Sequence, residues 1–395
     1  MKNILILGGD GYIGWPTAMH FSRKGYSVTV VDNYFRRNIA NELKIKMLYE
    51  VPSLVERAKL WFEETGNEIK VIIGDLTNPI LMRSLFTGEG LIFDWSINPL
   101  TYTPDTVIHF AEQPSAPYSV MNYETANITI SNNLIVTNNL MFAVKDLAPN
   151  THIIKLGTMG EYGTPNIDIE EGWINIKSNG REDTFLFPRQ AGSIYHTSKI
   201  MDTDLLWYGV RTWNLRVTDL MQGPVYGIET EESLIHPKLK TFFNYDEVFG
   251  TVINRFIAQA VINYPLTIYG SGNQSRGYIS LQNSIECIYL ASLNIPKAGK
   301  LDIYNQIMET LSVREIAEII ISSASELGYK VQIQNIKNPR SELEEHYYNP
   351  KYSKLIELGI SPKLLNKDSI KQMIIEVEKH RKNIRKSFIF NGIKW

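Results

Sequence analysis

The sequence predicts an α/β fold built on a parallel, doubly wound sheet. Three observations carry this. Apolar runs of strand length alternate with helical stretches through about residue 220. Gly8, Gly11 and Gly14 follow the first run at three-residue spacing. A second run, SVTVVD, ends in Asp32, eighteen residues after Gly14.

The elements follow in order. Asn3 to Leu7 is an apolar run of strand length. From Tyr12 the chain reads as a helix, with Ile13, Ala18, Met19 and Phe21 on its buried side. Gly8 permits a tight turn, Gly11 a close approach of backbone to a pyrophosphate, and Gly14 close helix–sheet packing. Asp10, Tyr12 and Ile13 belong to the same loop, and the helix N-terminus favours phosphate charge. The Asp32 carboxylate can accept both ribose hydroxyls and repels a 2′-phosphate, which favours NAD over NADP. Asn33, Arg36 and Arg37 complete that end of the expected NAD site, although two arginines could also invite a phosphate.

A third strand, EIKVIIGD, ends at Asp75, and Asp75 and Leu76 sit where a strand-end loop meets the adenine. Residues 88–104 read as a surface insertion. The strand DTVIHFAEQ, a helix around Thr125–Asp146, the strand THIIKLGT and the helix of SIYHTSK come next. WNLRVTDLMQGPVYG adds a strand and a glycine-rich loop, with Val225 counted toward the cofactor. Beyond residue 225 come a long loop (Ile228–Asp246), a helix (Phe249–Asn263) and short strands near Leu266–Tyr269 and Gly277–Ser280. The expected organisation is a doubly wound parallel Rossmann sheet in residues 1–222. A smaller C-terminal α/β substrate domain fills 223–395 as a lid, with some later segments returning to the first domain.

Composition agrees with a two-domain enzyme. The chain has 395 residues, 44% hydrophobic and 21% charged, with net charge −2. That balance points away from nucleic acid and membrane surfaces. The single cysteine, Cys287, excludes an intrachain disulfide and a multi-cysteine metal site, and no metal is expected. No apolar run reaches membrane-span length. The first strand starts at Asn3, which leaves no room for a leader, so a cytoplasmic location is expected.

Tyr195 and Lys199 stand four apart in SIYHTSK, with Thr158 upstream in KLGTMGEYG. Positions i and i+4 share one helix face. An ammonium near a phenol is expected to favour the phenolate, which could then act as a general base at neutral pH. Taken alone, Tyr-x-x-x-Lys is usually a pair of surface residues. The dinucleotide pattern upstream gives it meaning.

With these residues in hand, the chain resembles the extended short-chain dehydrogenase/reductase superfamily of nucleotide-sugar enzymes. Within it, the chain is similar to the UDP-sulfoquinovose synthase family. The stretches that carry the resemblance include GGDGYIGW, VDNYFRR, HFAEQPSAPYS, KLGTMGEYGTPNIDIEEG, YHTSK, FNYDEVFGT, LTIYGSGNQSRGY and NPRSELEEHYYN, which span residues 8 to 349. The resemblance implies NAD as a bound redox cofactor and UDP-glucose and sulfite as substrates. Tyr195 would take the 4-hydroxyl proton, Lys199 would support it and bond the nicotinamide ribose, and Thr158 would serve the same oxygen. Asn132 falls at the family's NAD-contacting asparagine. Arg276 and Arg340 fall at its UDP-binding positions, with Gln222 and Thr267, Ile268 and Tyr269 facing the sugar or uracil. A homodimer is implied, for which Phe142, Ile200, Leu205 and Leu206 could form a helical interface or be plain core.

Two departures stand out. The related 4,6-dehydratases carry an Asp-Glu pair directly after this Thr, whereas Met159 and Gly160 stand here. His196 and Glu161 are therefore the candidates for proton chemistry at C5 and C6. Pro114 replaces an Arg expected near the substrate, which leaves His196 and Arg189 as nearby basic groups. The alternatives are an NAD-dependent UDP-glucose 4-epimerase or dehydratase and, from another class, an NAD(H)-sensing regulator. Such regulators often lose the Tyr or Lys that this chain keeps.

Overall fold

The computed structural model describes residues 2–99, 103–338 and 347–389. The first part runs β1 (Asn3–Leu7), α1 (Gly14–Arg23), β2 (Ser27–Asp32), α2 (Phe35–Glu42), α3 (Leu54–Thr65), β3 (Ile69–Ile73), α4 (Pro79–Thr87), β4 (Thr106–His109), α5 (Ala116–Ser119), α6 (Tyr123–Leu147), β5 (His152–Thr158), β6 (Trp173–Ser178), β7 (Arg181–Leu186), α7 (Ile194–Trp213) and β8 (Arg216–Gln222). The second part runs β9 (Val225–Tyr226), α8 (Val252–Val261), β10 (Leu266–Tyr269), β11 (Ser275–Ser280), α9 (Leu281–Leu293), β12 (Lys300–Gln306), β13 (Glu309–Ser312), α10 (Val313–Glu326), β14 (Ile333–Ile336), α11 (Lys354–Glu357), α12 (Lys367–Glu378) and α13 (Lys386–Ile389).

Seven strands form one parallel sheet in the order β12-β8-β5-β4-β1-β2-β3. Strands buried on both faces read as continuous apolar runs, which is why β1 (NILIL) and β3 (IKVII) were legible. Trp15, Phe21, Trp61 and Ile288 pack against one face. Met82, Val136, Leu140 and Leu206 pack against the other. The strand order reverses between β1 and β4, and ligands bind such sheets at this switch point, beyond the strands' carboxyl ends.

The later segments build a second core around Phe256, Ile316 and Ile374. It carries the parallel pair β10–β14 and the sheet β13-β11-β9. Lys300–Gln306 instead lies at the edge of the large sheet, beside β8. The antiparallel β6–β7 hairpin was not foreseen, because most of its residues are exposed and leave no apolar pattern. Leu206 is core, whereas Phe142 is exposed and packs edge-on against Trp213. Among the described residues no helix is long and apolar enough to cross a membrane, and no group of three His, Cys, Asp or Glu could hold a metal ion.

Candidate active site

A cleft of about 820 Å³ runs from the β1 turn to the second core. Its dinucleotide end is built as the glycine spacing requires. Gly8 adopts φ +89°, and a Cβ there would stand 2.7 Å from the Phe110 carbonyl carbon. A Cβ on Gly14 would run into the backbone of Gly8. The β1 turn and the β4 end therefore meet without side chains, leaving backbone open to a pyrophosphate. Asp10, Tyr12, Ile13, Asp32, Asn33, Asp75, Leu76, Asn132 and Val225 all line the cleft. Asp32 accepts from the Asp10 amide (2.8 Å) and the Tyr34 amide (2.7 Å). Burial, and then the charge of Asp10, push its carboxyl up to about 6. The residues present fit NAD.

Arg36 and Arg37 part company. Arg36 lines the cleft, lies between the Phe242 and Phe249 rings at 4.5 and 4.7 Å, and donates to Asn244. Arg37 does not line it. It grips Asp10 through Nε (2.6 Å) and a terminal nitrogen (2.8 Å), and also donates to the Val51 and Pro52 carbonyls. The expected cofactor contact of Arg37 is thus replaced by a brace. Arg57, missed in the sequence, joins it at Asp10 Oδ1 (2.6 Å), fully buried over Trp15. No local pattern marks a residue forty-seven positions from its partner.

Residues 244–252 border the cleft from the far side. Ser115 Oγ donates to the Val248 carbonyl at 2.6 Å. The segment is also tied to the late chain. The Glu247 amide donates to the Phe388 carbonyl (3.1 Å), and the Arg385 amide to the Tyr245 hydroxyl (3.1 Å).

Thr158, Met159, Gly160, Tyr195, His196 and Lys199 meet in the cleft. Ser193 caps α7 by accepting from the His196 amide at 3.1 Å, a bond of about 1 kcal/mol that fixes the turn bearing Tyr195 and His196. The Tyr195 amide donates to Ser119 Oγ at 3.0 Å. His196 lies over Gly160, where a Cβ would stand 2.5 Å from its Cδ2. The imidazole thus fills the space next to Gly160.

Two expectations are corrected here. Lys199 is bound to Glu112 and is not among the leading influences on the phenol. Burial, and then the charges of Glu112 and Glu161, hold Tyr195 well above the usual phenol range, with Lys155 opposing. Glu161 does not line the cleft. It is fully buried, accepting from Lys155 Nζ (3.1 Å) and the Thr158 amide (3.2 Å), with Arg189 at 3.1 Å. Arg189 is spent on that pair and does not line the cleft either. Glu112 was missed, though its place just past a parallel strand's end was a usable signal.

At the other end the cleft is lined by Tyr269, Gln274, Arg276 and Tyr348, together with Arg255. Arg255 donates to the Tyr269 hydroxyl (3.1 Å) and the Thr267 carbonyl (3.1 Å). Arg276 lies 6.0 Å from the Tyr348 ring centre. Thr267 and Ile268 are buried and do not line the cleft; Thr267 is claimed by Arg255 and Gln259, and only Tyr269, at the strand's end, reaches it. Gln222 borders the cleft, but its amide is committed to Ser284 (2.7 Å) and Gln306 (2.9 Å). Arg340 lies outside the described residues.

The sequence matches the NAD dependent epimerase/dehydratase family over residues 4–305. It is 41% identical to the chloroplastic UDP-sulfoquinovose synthase of Spinacia oleracea, over 100% of this chain and 79% of that one. It is 40% identical to the UDP-sulfoquinovose synthase of Sulfolobus acidocaldarius, over 99% and 97%. The chain belongs to the UDP-sulfoquinovose synthase family. Its fold is that of the UDP-glucose 4-epimerase of Bifidobacterium longum, solved with NAD+ and UDP, at TM-score 0.69 and 21% identity, covering 97% of this chain and 100% of that one. Membership in this family makes the dinucleotide end an NAD site.

Proposed function

We propose that this protein makes UDP-sulfoquinovose and water from UDP-glucose and sulfite, with NAD held throughout the cycle. The observation that carries the reading is the His196 imidazole over Gly160, beside Thr158 and Tyr195 in one cleft. It supplies one proton-handling group besides Tyr195.

NAD, held by the β1 turn and Asp32, would supply the hydride acceptor and donor for C4 and so would leave the cycle unchanged. Tyr195 takes the 4-hydroxyl proton and later gives it back, with Thr158 hydrogen-bonded at the same oxygen. The 4-ketone makes the C5 hydrogen acidic. His196 removes it and protonates the C6 hydroxyl, which departs as water and leaves a C5–C6 enone. Sulfite enters as bisulfite, gives its proton to His196 and adds at C6 through sulfur, and His196 returns that proton to C5. Arg276, Tyr348 and Tyr269 bind the nucleotide end, and Arg340 joins them. Residues 223–395 mainly supply that side of the cleft. A homodimer through α6 and α7 belongs to the same reading, supported by exposed Ile128, Ile135 and Phe142 on the first and Met201 and Tyr208 on the second.

The test is incubation with UDP-glucose, with and without sulfite, and mass analysis of the nucleotide sugar. The reading requires a product in which one hydroxyl is replaced by a sulfonate. UDP-galactose with no sulfur incorporated would replace it with the epimerase reading, and no turnover of any UDP-sugar would favour a regulator.

A further inference from the structure

Glu112 is not needed in the cycle just described, yet it stands at its centre. It lies past the end of β4 with a side chain 5% exposed, and it still lines the cleft. One carboxylate oxygen holds Lys199 Nζ and lies 3.6 Å from His109 Nε2. The other is buried with no hydrogen-bond partner among the described residues. Leaving such an acceptor unpaired is costly, so the placement calls for a reason.

The surroundings supply one. The groups around the Tyr195–Lys199 pair come from every packed element: His109 on β4, Lys155 on β5, Glu161 in the turn after it, Arg189 before α7, His196 and Asp202 on α7, and Asp219 on β8. Burial pushes the His109 ring down to about 4, so it is neutral at pH 7. Burial, and then Glu112, drive the Asp202 carboxyl well above its usual range. Glu161 and Asp219 are both engaged by Lys155, at 3.1 and 3.4 Å. Glu112 is the carboxylate left to bind Lys199.

We propose that Glu112 is a positioning residue: by holding the Lys199 ammonium it fixes the charge that the Tyr195 phenol meets, and so sets the pH range in which Tyr195 exchanges its proton. The proposal rests on the assignment of Tyr195 as the group that works at the sugar 4-hydroxyl. With Glu112 in place the charges of the cluster balance and the phenol keeps its proton. With the carboxylate neutralised, Lys199 is released as an unbalanced cation in the cleft that the phenol shares, and the phenol then ionises more readily.

The test titrates the Tyr195 phenol in purified protein without substrate, by ultraviolet difference absorbance against Tyr195→Phe. The pH profile of NAD reduction by UDP-glucose is recorded in parallel. Glu112→Gln should move the titration midpoint to lower pH by about one to three units. Glu112→Asp, which keeps the charge, should stay close to wild type. In a Lys199→Met background, Glu112→Gln should move the midpoint by no more than about half as much. An unmoved midpoint in Glu112→Gln overturns the proposal. So does a full shift in the Lys199→Met background, which would mean that Glu112 acts on the phenol without Lys199. Circular dichroism checks the fold. If Glu112→Gln does not fold, Glu112→Ala with and without Lys199→Met serves instead: the proposal requires a shift to lower pH only where Lys199 is present, and equal shifts in both backgrounds sink it. The titration uses no sugar, so a protein that fails to make the sulfonate yet shows the shift overturns the activity and not the role of Glu112.

Discussion

The His196 ring rests on Gly160, and a Cβ at position 160 would stand 2.5 Å from its Cδ2. A methyl group there must push the imidazole aside. Gly160→Ala should cut turnover about 10²-fold, the scale of a misplaced catalytic group. Solvent deuterium exchange at C5 should fall with it, while bound NAD is unchanged. Exchange at the wild-type rate would remove His196 from the C5 chemistry.

Tyr195→Phe should lower turnover by about 10²–10⁴-fold with little change in UDP-glucose affinity, because the phenol acts in the transition state. Steady-state kinetics and a binding titration check both halves. Near-wild-type turnover would sink the mechanism.

Glu161 tests whether the buried network is structural. Removing its carboxylate leaves Lys155 and Arg189 short of their partner in the core. Glu161→Ala should cost about 3–5 kcal/mol of stability. Denaturant unfolding measures this. A variant of unchanged stability with abolished C5 exchange would return Glu161 to the chemistry.

Asp32 gives the cofactor a pH dependence. Its folded-state value, pushed up to about 6, lies above the ordinary carboxylate range. Its acid form therefore favours the fold, and that contribution is lost as pH rises through 6. The ribose hydroxyls require the ionised form. NAD affinity should fall about tenfold for each pH unit below 6, and Asp32→Asn should bind weakly without this slope. Calorimetric titration of cofactor-free protein checks it, and a flat profile down to pH 5 would count against Asp32 as the ribose acceptor.

Legibility followed range. The large sheet could be read because its strands are apolar on both faces, and the β1 turn because each of its glycines answers a steric demand visible in the pattern. Tyr195 and Lys199 were read from their helical spacing and His196 as the neighbour of Tyr195, and all three line the cleft. The Glu112–Lys199 bond joins residues 87 apart, and its effect on the phenol opposes the one that helical spacing suggests. Arg37 was misplaced because sequence shows a cation near the phosphate loop but not the Asp10 carboxylate that claims it. In LTIY, alternation puts Thr267 and Tyr269 on one face, so it could not separate the cleft-lining Tyr269 from Thr267, which distant Arg255 and Gln259 claim.

The ties from residues 385 and 388 to the 245–247 segment matter for how the protein is born. Chains generally emerge and fold from the N-terminus at about 5–20 residues per second. The β1 turn and Asp32 would then be outside the ribosome roughly 20 seconds or more before Arg385 and Phe388 arrive to secure the opposite wall. A newly made chain thus spends that interval with half a dinucleotide groove exposed. Retention of NAD becomes one of the last events of its synthesis, although the pattern that binds it is among the first to appear.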